Sequence, residues 1–94
     1  METTYQGWKN HATWMVALHL SNNEDMYDAV KNIVATYPDD YDAAKMLHEY
    51  VEDCVFYEIP TPRKNNWGVL LNDMVFSVLE DVDFREIVQS YREQ

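Results

Sequence analysis

The sequence predicts an all-α protein, a compact bundle of four to five helices. Three observations support this prediction. Apolar residues recur at helical spacing in several separate segments, and no segment shows the alternation of apolar and polar residues that is typical of a strand. The chain also contains only two glycines and three prolines, which leaves little room for long irregular stretches. Residues 1–94 form a single acidic helical domain, and 47% hydrophobic content is enough for one core.

Capping residues predict where the first two helices begin. An irregular arm over residues 1–10 leads to Asn10, which can cap a helix that ends near residue 20. Ser21 and Glu24 have the spacing of a capping box, so a second helix should start there and end near residue 36. Tyr37 precedes a proline, and the residue before proline is pushed out of the helical region.

A third and longest helix is expected to begin at Asp39 or Asp40 and to end near residue 57. Its apolar stripe includes Cys54, which is therefore expected to be a buried, unreactive thiol. After it, residues 59–66 contain two prolines, two bases and two asparagines, a composition that indicates a loop.

The last two helices differ in their predicted burial. The fourth, about residues 67–79, is apolar on most sides and is expected to be the most buried element. Asp83 and Glu86 repeat the capping-box spacing and open the last helix. The apolar residues of that helix, spaced i, i+3, i+4 and i+7 from Phe84, predict one buried face.

Negative charge is concentrated in the middle of the chain. The formal net charge is −10, and residues 24–58 hold ten carboxylates against two lysines. A sequence pI of about 4.4 argues against direct binding to nucleic acid or to an anionic membrane, because both require lysine and arginine to neutralise phosphates. A folded domain that concentrates one sign of charge destabilises itself by repulsion, so the charge invites a functional explanation.

The third helix places several of these carboxylates in one sector of about 100°. Glu49 and Asp53 would lie about 6 Å apart along the helix axis, and Asp42 and Asp53 about 16 Å apart. These separations are of the same order as the spacing of phosphates on a duplex, so a basic cleft that binds DNA or RNA would attract them. The alternative is a solvated face that keeps the protein soluble. The carboxylates predicted to contact a partner are Asp25, Asp28, Asp39, Asp40, Asp42, Glu49, Glu52, Asp53 and Glu58.

Two segments resemble a known family. Residues 7–18, GWKNHATWMVAL, carry the motif G-W-x-N-x-x-T-W-x-V-x-L, and residues 81–87, DVDFREI, resemble the C-terminal block of the same proteins. These are small proteins of unknown function from bacteriophages and plasmids, so the resemblance implies an accessory protein of a mobile element. Such proteins often inhibit host defences. The resemblance and the acidic sector together predict an inhibitor that binds a basic, nucleic-acid-handling host protein of restriction or CRISPR type.

Other interpretations stay open at this stage. A self-associating interaction protein, for example a homodimer, could use Tyr5, Trp8 and Trp67 as exposed aromatic contacts. A metal-dependent enzyme could use His48 and Glu52, which lie one helical turn apart. No metal-binding or catalytic motif accompanies them, so we predict no catalytic residue, metal site or cofactor.

The expected location is the cytosol of the host cell. One cysteine leaves no internal disulfide, which suits a reducing compartment. The N-terminal residues lack the pattern of a signal peptide, and no apolar run approaches the length of a membrane span. Trp14, on the first helix, is expected to anchor the core.

Overall fold

Five α-helices make up the described part of the fold. A computed structural model describes residues 5–58 and 66–94, and within these ranges there is no strand, only an isolated backbone bridge between Tyr5 and Trp8. The all-α prediction is confirmed. The predicted loop over residues 59–66 lies outside the described residues except for its last residue, which begins a helix. The helices are α1 (His11–Asn22), α2 (Glu24–Thr36), α3 (Asp40–Glu58), α4 (Asn66–Asp81) and α5 (Phe84–Arg92).

Four of the five described helices begin at side chains that accept hydrogen bonds from the free N–H groups of the first turn. Asn10 accepts a 2.8 Å hydrogen bond from the backbone N–H of Thr13 and caps α1, as predicted. Asp83 accepts from the backbone N–H of Glu86 at 3.2 Å and caps α5, as predicted. Asp39 accepts from the N–H groups two and three positions later, which makes it the capping residue of α3.

The predicted start of the second helix is wrong by two residues. Ser21 lies inside α1, where its hydroxyl donates a 2.8 Å hydrogen bond to the carbonyl oxygen of Ala17. That bond to the preceding turn satisfies the hydroxyl without ending the helix, so α1 continues to residue 22. Asn23 caps α2 instead, accepting from the backbone N–H of Met26 at 3.0 Å.

The core is built around α5, which packs mainly on α3 and also on α2. The apolar face predicted for this helix is confirmed, because Phe84, Ile87, Val88 and Tyr91 are all buried. Leu47 on α3 is fully buried with them. Trp14 is half-buried, its ring lying 4.9 Å from that of a tyrosine near the N-terminus, so it flanks the core instead of anchoring it.

Hydrogen bonds tie the N-terminal motif to the C-terminal block. The Thr13 side chain is fully buried and accepts a 2.9 Å hydrogen bond from the backbone N–H of Asp83. The amide of Asn10 donates at 2.8 Å to the carbonyl oxygen of Asp81. The two sequence blocks that carry the family resemblance therefore meet in space, and their polar residues join α1 to the turn between α4 and α5.

The capping box predicted at the start of α5 forms only in half. The carboxylate of Glu86 accepts a 3.0 Å hydrogen bond from the backbone N–H of Lys9. Its expected partner, the N–H of Asp83, is already bonded to Thr13. The hydrogen bond from Lys9 thus replaces the bond that a capping box would form between Glu86 and the N–H of Asp83. The capping-box rule considers only neighbouring residues, so it does not predict this contact with a distant segment.

The prediction that the fourth helix is the most buried element is wrong. Among residues 67–81 of α4 only Leu79 is buried, whereas Trp67 is 79% and Met74 is 56% exposed. The helix packs mainly on α1, and α5 occupies the centre of the core in its place. Despite its apolar composition, neither α4 nor any other helix in the described ranges is long and apolar enough to cross a membrane.

The burial predicted for the single cysteine is also wrong. Cys54 is exposed, although Leu47 and Val51 of the same helix are buried. Helical spacing places all three on one side of α3. The helices that cover Leu47 and Val51 leave the side chain of Cys54 open to solvent, so a shared stripe does not guarantee equal burial along its whole length.

Candidate partner-binding surface

The outer surface of the hairpin formed by α2 and α3 carries a row of predicted contact residues. At about 100° per residue, Asp42, Glu49 and Asp53 lie on the side of α3 opposite to the buried Leu47 and Val51. All three carboxylates are exposed. Within residues 5–58 and 66–94, none of them forms a salt bridge. The result is a row of three negative charges without ion pairs that spans about 16 Å along the helix axis.

Acidic residues of α2 lie beside this row. Glu49 and Asp53 line one wall of the groove between α2 and α3. Asp25 on α2 lies close enough to Tyr50 on α3 for its charge to act on the Tyr50 hydroxyl. Burial is the main cause of the raised pKa of that hydroxyl, and the charge of Asp25 raises it further. Asp28 is exposed one turn further along α2, next to Asp25 on the helix surface. We call these five residues the acidic face: Asp25, Asp28, Asp42, Glu49 and Asp53.

The other four predicted contact residues are placed differently. Asp40 faces α5 and is paired with Arg92. Glu52 lies 3.8 Å from the imidazole of a histidine one turn earlier. Glu58 is exposed at the end of α3, and helical spacing puts it on the side of the helix away from the acidic face. Asp39 is exposed at the hairpin turn, where one of its oxygens caps α3.

Arg92 fixes the hairpin against α5. Its guanidinium donates to the carboxylate of Asp40, to the carbonyl oxygen of Val34 at 3.1 Å and to that of Tyr37 at 2.7 Å. The hydrogen bond from Arg92 holds the pKa of the Asp40 carboxyl below its usual value. One side chain therefore ties together the end of α2, the start of α3 and the last turn of α5, and so sets the orientation of the surface that carries the acidic face.

Most of the described positive side chains lie outside the acidic face. Lys9, Lys45 and Arg85, three of the five lysines and arginines in the described ranges, line an open cleft of about 460 Å³ between α3 and the start of α5. Carboxylates accompany them there, including Glu80 and Asp83, and the Lys9 ammonium lies 3.9 Å from Asp83. The bases in the cleft are thus balanced locally, and two lysines border the acidic face: Lys45 on α3 and Lys31, which lies one turn after Asp28 on α2.

The residues considered for a metal site form an ordinary surface pair. The His48 imidazole lies 3.8 Å from the Glu52 carboxylate and stacks on the Phe84 ring, with ring centroids 4.7 Å apart. No group of three or more histidine, cysteine, aspartate or glutamate residues in the described part of the chain could hold a metal ion.

The three aromatic residues considered for self-association differ in exposure. Tyr5 packs edge-on against His11, with ring centroids 4.7 Å apart, and shares two backbone hydrogen bonds with Trp8. Trp8 is half-buried and packs against the core. Trp67 is the most exposed of the three, at 79% against 37% for Tyr5.

Sequence reasoning missed an exposed apolar groove beside α4. It lies between α1, α3 and α4, has a volume of about 320 Å³, and its lining is almost wholly apolar. The signal was present in the sequence, because Trp67, Leu71, Met74 and Val78 follow the i, i+4, i+7, i+11 spacing of a helix-packing stripe. Lining side chains include Met15, Val51, Val55, Leu71, Met74 and Val78.

Comparison with known proteins gives one result. A protein family described as "Family of unknown function (DUF7249)" matches residues 1–89, which is nearly the whole chain. No curated protein and no solved structure matches the chain.

Proposed function

We propose that this chain, which belongs to the DUF7249 family, acts by binding a basic, nucleic-acid-handling protein and occupying the cleft where that protein binds its nucleic acid. The observation that supports this proposal is the acidic face. Asp42, Glu49 and Asp53 form a row without salt bridges to the other described residues, and Asp25 and Asp28 add charge beside it.

The arrangement suits a cleft that is built for phosphates. A duplex carries roughly one negative charge per 1.7 Å of axis with both strands counted, and a basic cleft neutralises several of these charges at once. A rigid helix presents its carboxylates without the cost of ordering a flexible segment. Each solvated ion pair contributes only about 0–1 kcal/mol, so the affinity has to come from several carboxylates acting together.

Separation of charge within the molecule strengthens the case. Residues 24–58, which contain the acidic face, hold ten carboxylates against two lysines, and the other described bases, including Lys9 and Arg85, lie outside this segment. A basic partner that approaches the α2–α3 hairpin therefore meets attraction with little opposing repulsion. Such attraction accelerates association and weakens as salt is added.

The likeness of the N-terminal motif and the C-terminal block to bacteriophage and plasmid proteins suggests the class of target. We propose a host defence protein of restriction or CRISPR type, which holds DNA or RNA in a basic channel. The inhibitor would act in the host cytosol, where these targets work. This role requires no catalysis and no cofactor.

A charge-matched pair of variants tests the proposal. In the acidic-face variant, Asp42→Asn, Glu49→Gln and Asp53→Asn remove three negative charges from the row. In the control variant, Asp73→Asn, Glu80→Gln and Glu93→Gln remove three exposed charges elsewhere, so the two variants have the same net charge. Wild type and both variants are immobilised and exposed to host proteins previously retained on a heparin column.

Wild type and the control should capture the same basic protein, and duplex DNA or RNA should release it. The acidic-face variant should capture at least about tenfold less, because loss of several close charge pairs costs more than about 1.4 kcal/mol. Equal capture by the two variants would contradict the proposal, since net charge and not the arrangement of the acidic face would then account for binding.

A further inference from the structure

The largest unexplained surface of the molecule is the outward side of α4. Seven large apolar side chains of this helix are exposed: Trp67, Val69, Leu70, Leu71, Met74, Phe76 and Val78. A helix that is apolar on most sides is normally enclosed by its neighbours. Here α5 fills the core, and α4 is left with packing mainly on α1.

Four of these residues form a continuous stripe. Trp67, Leu71, Met74 and Val78 fall within a sector of about 60° at 100° per residue. Asp73 and Glu80 of this helix lie more than about 100° from the centre of that sector, and Asp81 follows the stripe at the C-terminal end of the helix. The stripe is therefore uncharged over three turns, and its spacing is that of a helix packed along another helix.

We propose that this stripe, the α4 stripe, is the interface of a symmetric homodimer in which the α4 helices of two copies pack antiparallel. A two-fold axis that passes between Leu71 and Met74 places Leu71 of one copy against Met74 of the second copy, and Met74 of the first against Leu71 of the second. The same axis pairs Trp67 with Val78, so the largest residue of the stripe meets the smallest. A face that complements itself in this way is what an isologous dimer requires.

The exposed area agrees with a second copy as the occupant. On the side of the stripe, Trp67, Leu70, Leu71, Met74 and Val78 together expose on the order of 500 Å², which is near the upper end of the roughly 300–600 Å² patch of a typical monomer. A stable interface of standard size buries about 800 Å² on each partner. The apolar groove next to the stripe, which includes Met15 and Val55, supplies further area at its edge.

Electrostatics permits this arrangement in spite of the net charge of −10 on each copy. Val51 and Val55 of α3 line the groove beside the stripe, whereas Asp42, Glu49 and Asp53 lie on the far side of the same helix. Dimerisation through α4 therefore turns the two acidic faces away from each other. The dimer would present two acidic faces, one for each partner molecule.

Sedimentation velocity across micromolar concentrations, at about 0.1 M and about 1 M salt, tests the dimer. Wild type should sediment as a species whose mass is twice that of the 11.2 kDa chain. Self-association should persist or strengthen at high salt, because screening reduces repulsion between copies, whereas binding through the acidic face should weaken. The two proposals can therefore fail independently.

Uncharged variants identify the surface. Leu71→Gln with Met74→Gln should weaken the dimer by at least about tenfold while leaving helical content unchanged, because both side chains are exposed in one copy. Val69→Gln, an exposed change on the other side of α4, should leave the dimer intact. A wild type that stays monomeric at all concentrations overturns the proposal and assigns the stripe to a different protein. Dimerisation of the double variant with wild-type affinity also overturns it.

Discussion

Replacement of Thr13 by valine tests the contact between the N-terminal motif and the C-terminal block. Thr13 is fully buried, and its hydroxyl donates to Asn10 at 2.7 Å and accepts from the backbone N–H of Asp83 at 2.9 Å. Valine keeps the shape and removes both hydrogen bonds. The Asn10 oxygen still accepts from the Thr13 backbone N–H, so the group left without a partner is the N–H of Asp83.

The expected loss follows from these partners. A buried donor left without an acceptor costs about 1–3 kcal/mol, so Thr13→Val should lower the free energy of unfolding by about 2 kcal/mol. For a domain of this size that corresponds to a fall in Tm of roughly 10 °C. The matched control is Thr13→Ser, which keeps the hydroxyl and loses one methyl group, at about 0.8 kcal/mol.

Urea unfolding followed by circular dichroism measures both variants, and the order of their stabilities is the decisive result. We expect Thr13→Ser to be more stable than Thr13→Val, with the slope of the unfolding free energy against urea unchanged. If the valine variant equals or exceeds the serine variant, the hydroxyl does not join the two segments and the reasoning fails.

Two further predictions concern α5. The Tyr91 hydroxyl is buried without a hydrogen-bond partner in the described part of the chain. Tyr91→Phe should therefore raise the free energy of unfolding, measured in urea, by up to about 1 kcal/mol. A lower free energy of unfolding in this variant would show that the hydroxyl has a partner. The pKa of Asp40 is lowered mainly by its hydrogen bond from Arg92, so its stabilising contribution is present above the unfolded-state pKa and is lost as pH falls through the lower, folded-state pKa. Asp40→Asn should therefore be less stable than wild type at pH 7, and their urea midpoints should converge as the pH falls below 3.8; a gap that stays constant would assign the effect to something other than this ionisation.

Local sequence rules located the helices well. Asn10 and Asp83 were identifiable as caps because a capping side chain bonds within three residues of itself, a distance that the sequence states directly. The same holds for the buried face of α5, where spacing alone selects the inward residues. The start of α2 was misplaced because Ser21 and Asn23 are both good caps, and only the bond from Ser21 back to α1 decides between them.

Burial was harder to predict because it depends on elements distant in sequence. The apolar pattern of α4 shows that Leu71 and Met74 need a neighbour, but not whether that neighbour belongs to the same chain. For the acidic surface, spacing correctly grouped Glu49 with Asp53. It could not show that Asp40 would be paired with Arg92, a residue of another helix far along the chain.

Competition between this protein and nucleic acid for the captured partner tests the central claim most directly. A fluorescent duplex is bound to the purified partner, wild-type protein is titrated in, and polarisation reports how much duplex remains bound. We predict complete displacement by wild type and by the charge-matched control, whereas the Asp42, Glu49 and Asp53 variant should need at least about tenfold higher concentration for the same displacement. A ternary complex in which the partner holds both wild-type protein and duplex would contradict the account, because the acidic face would then bind outside the nucleic-acid cleft.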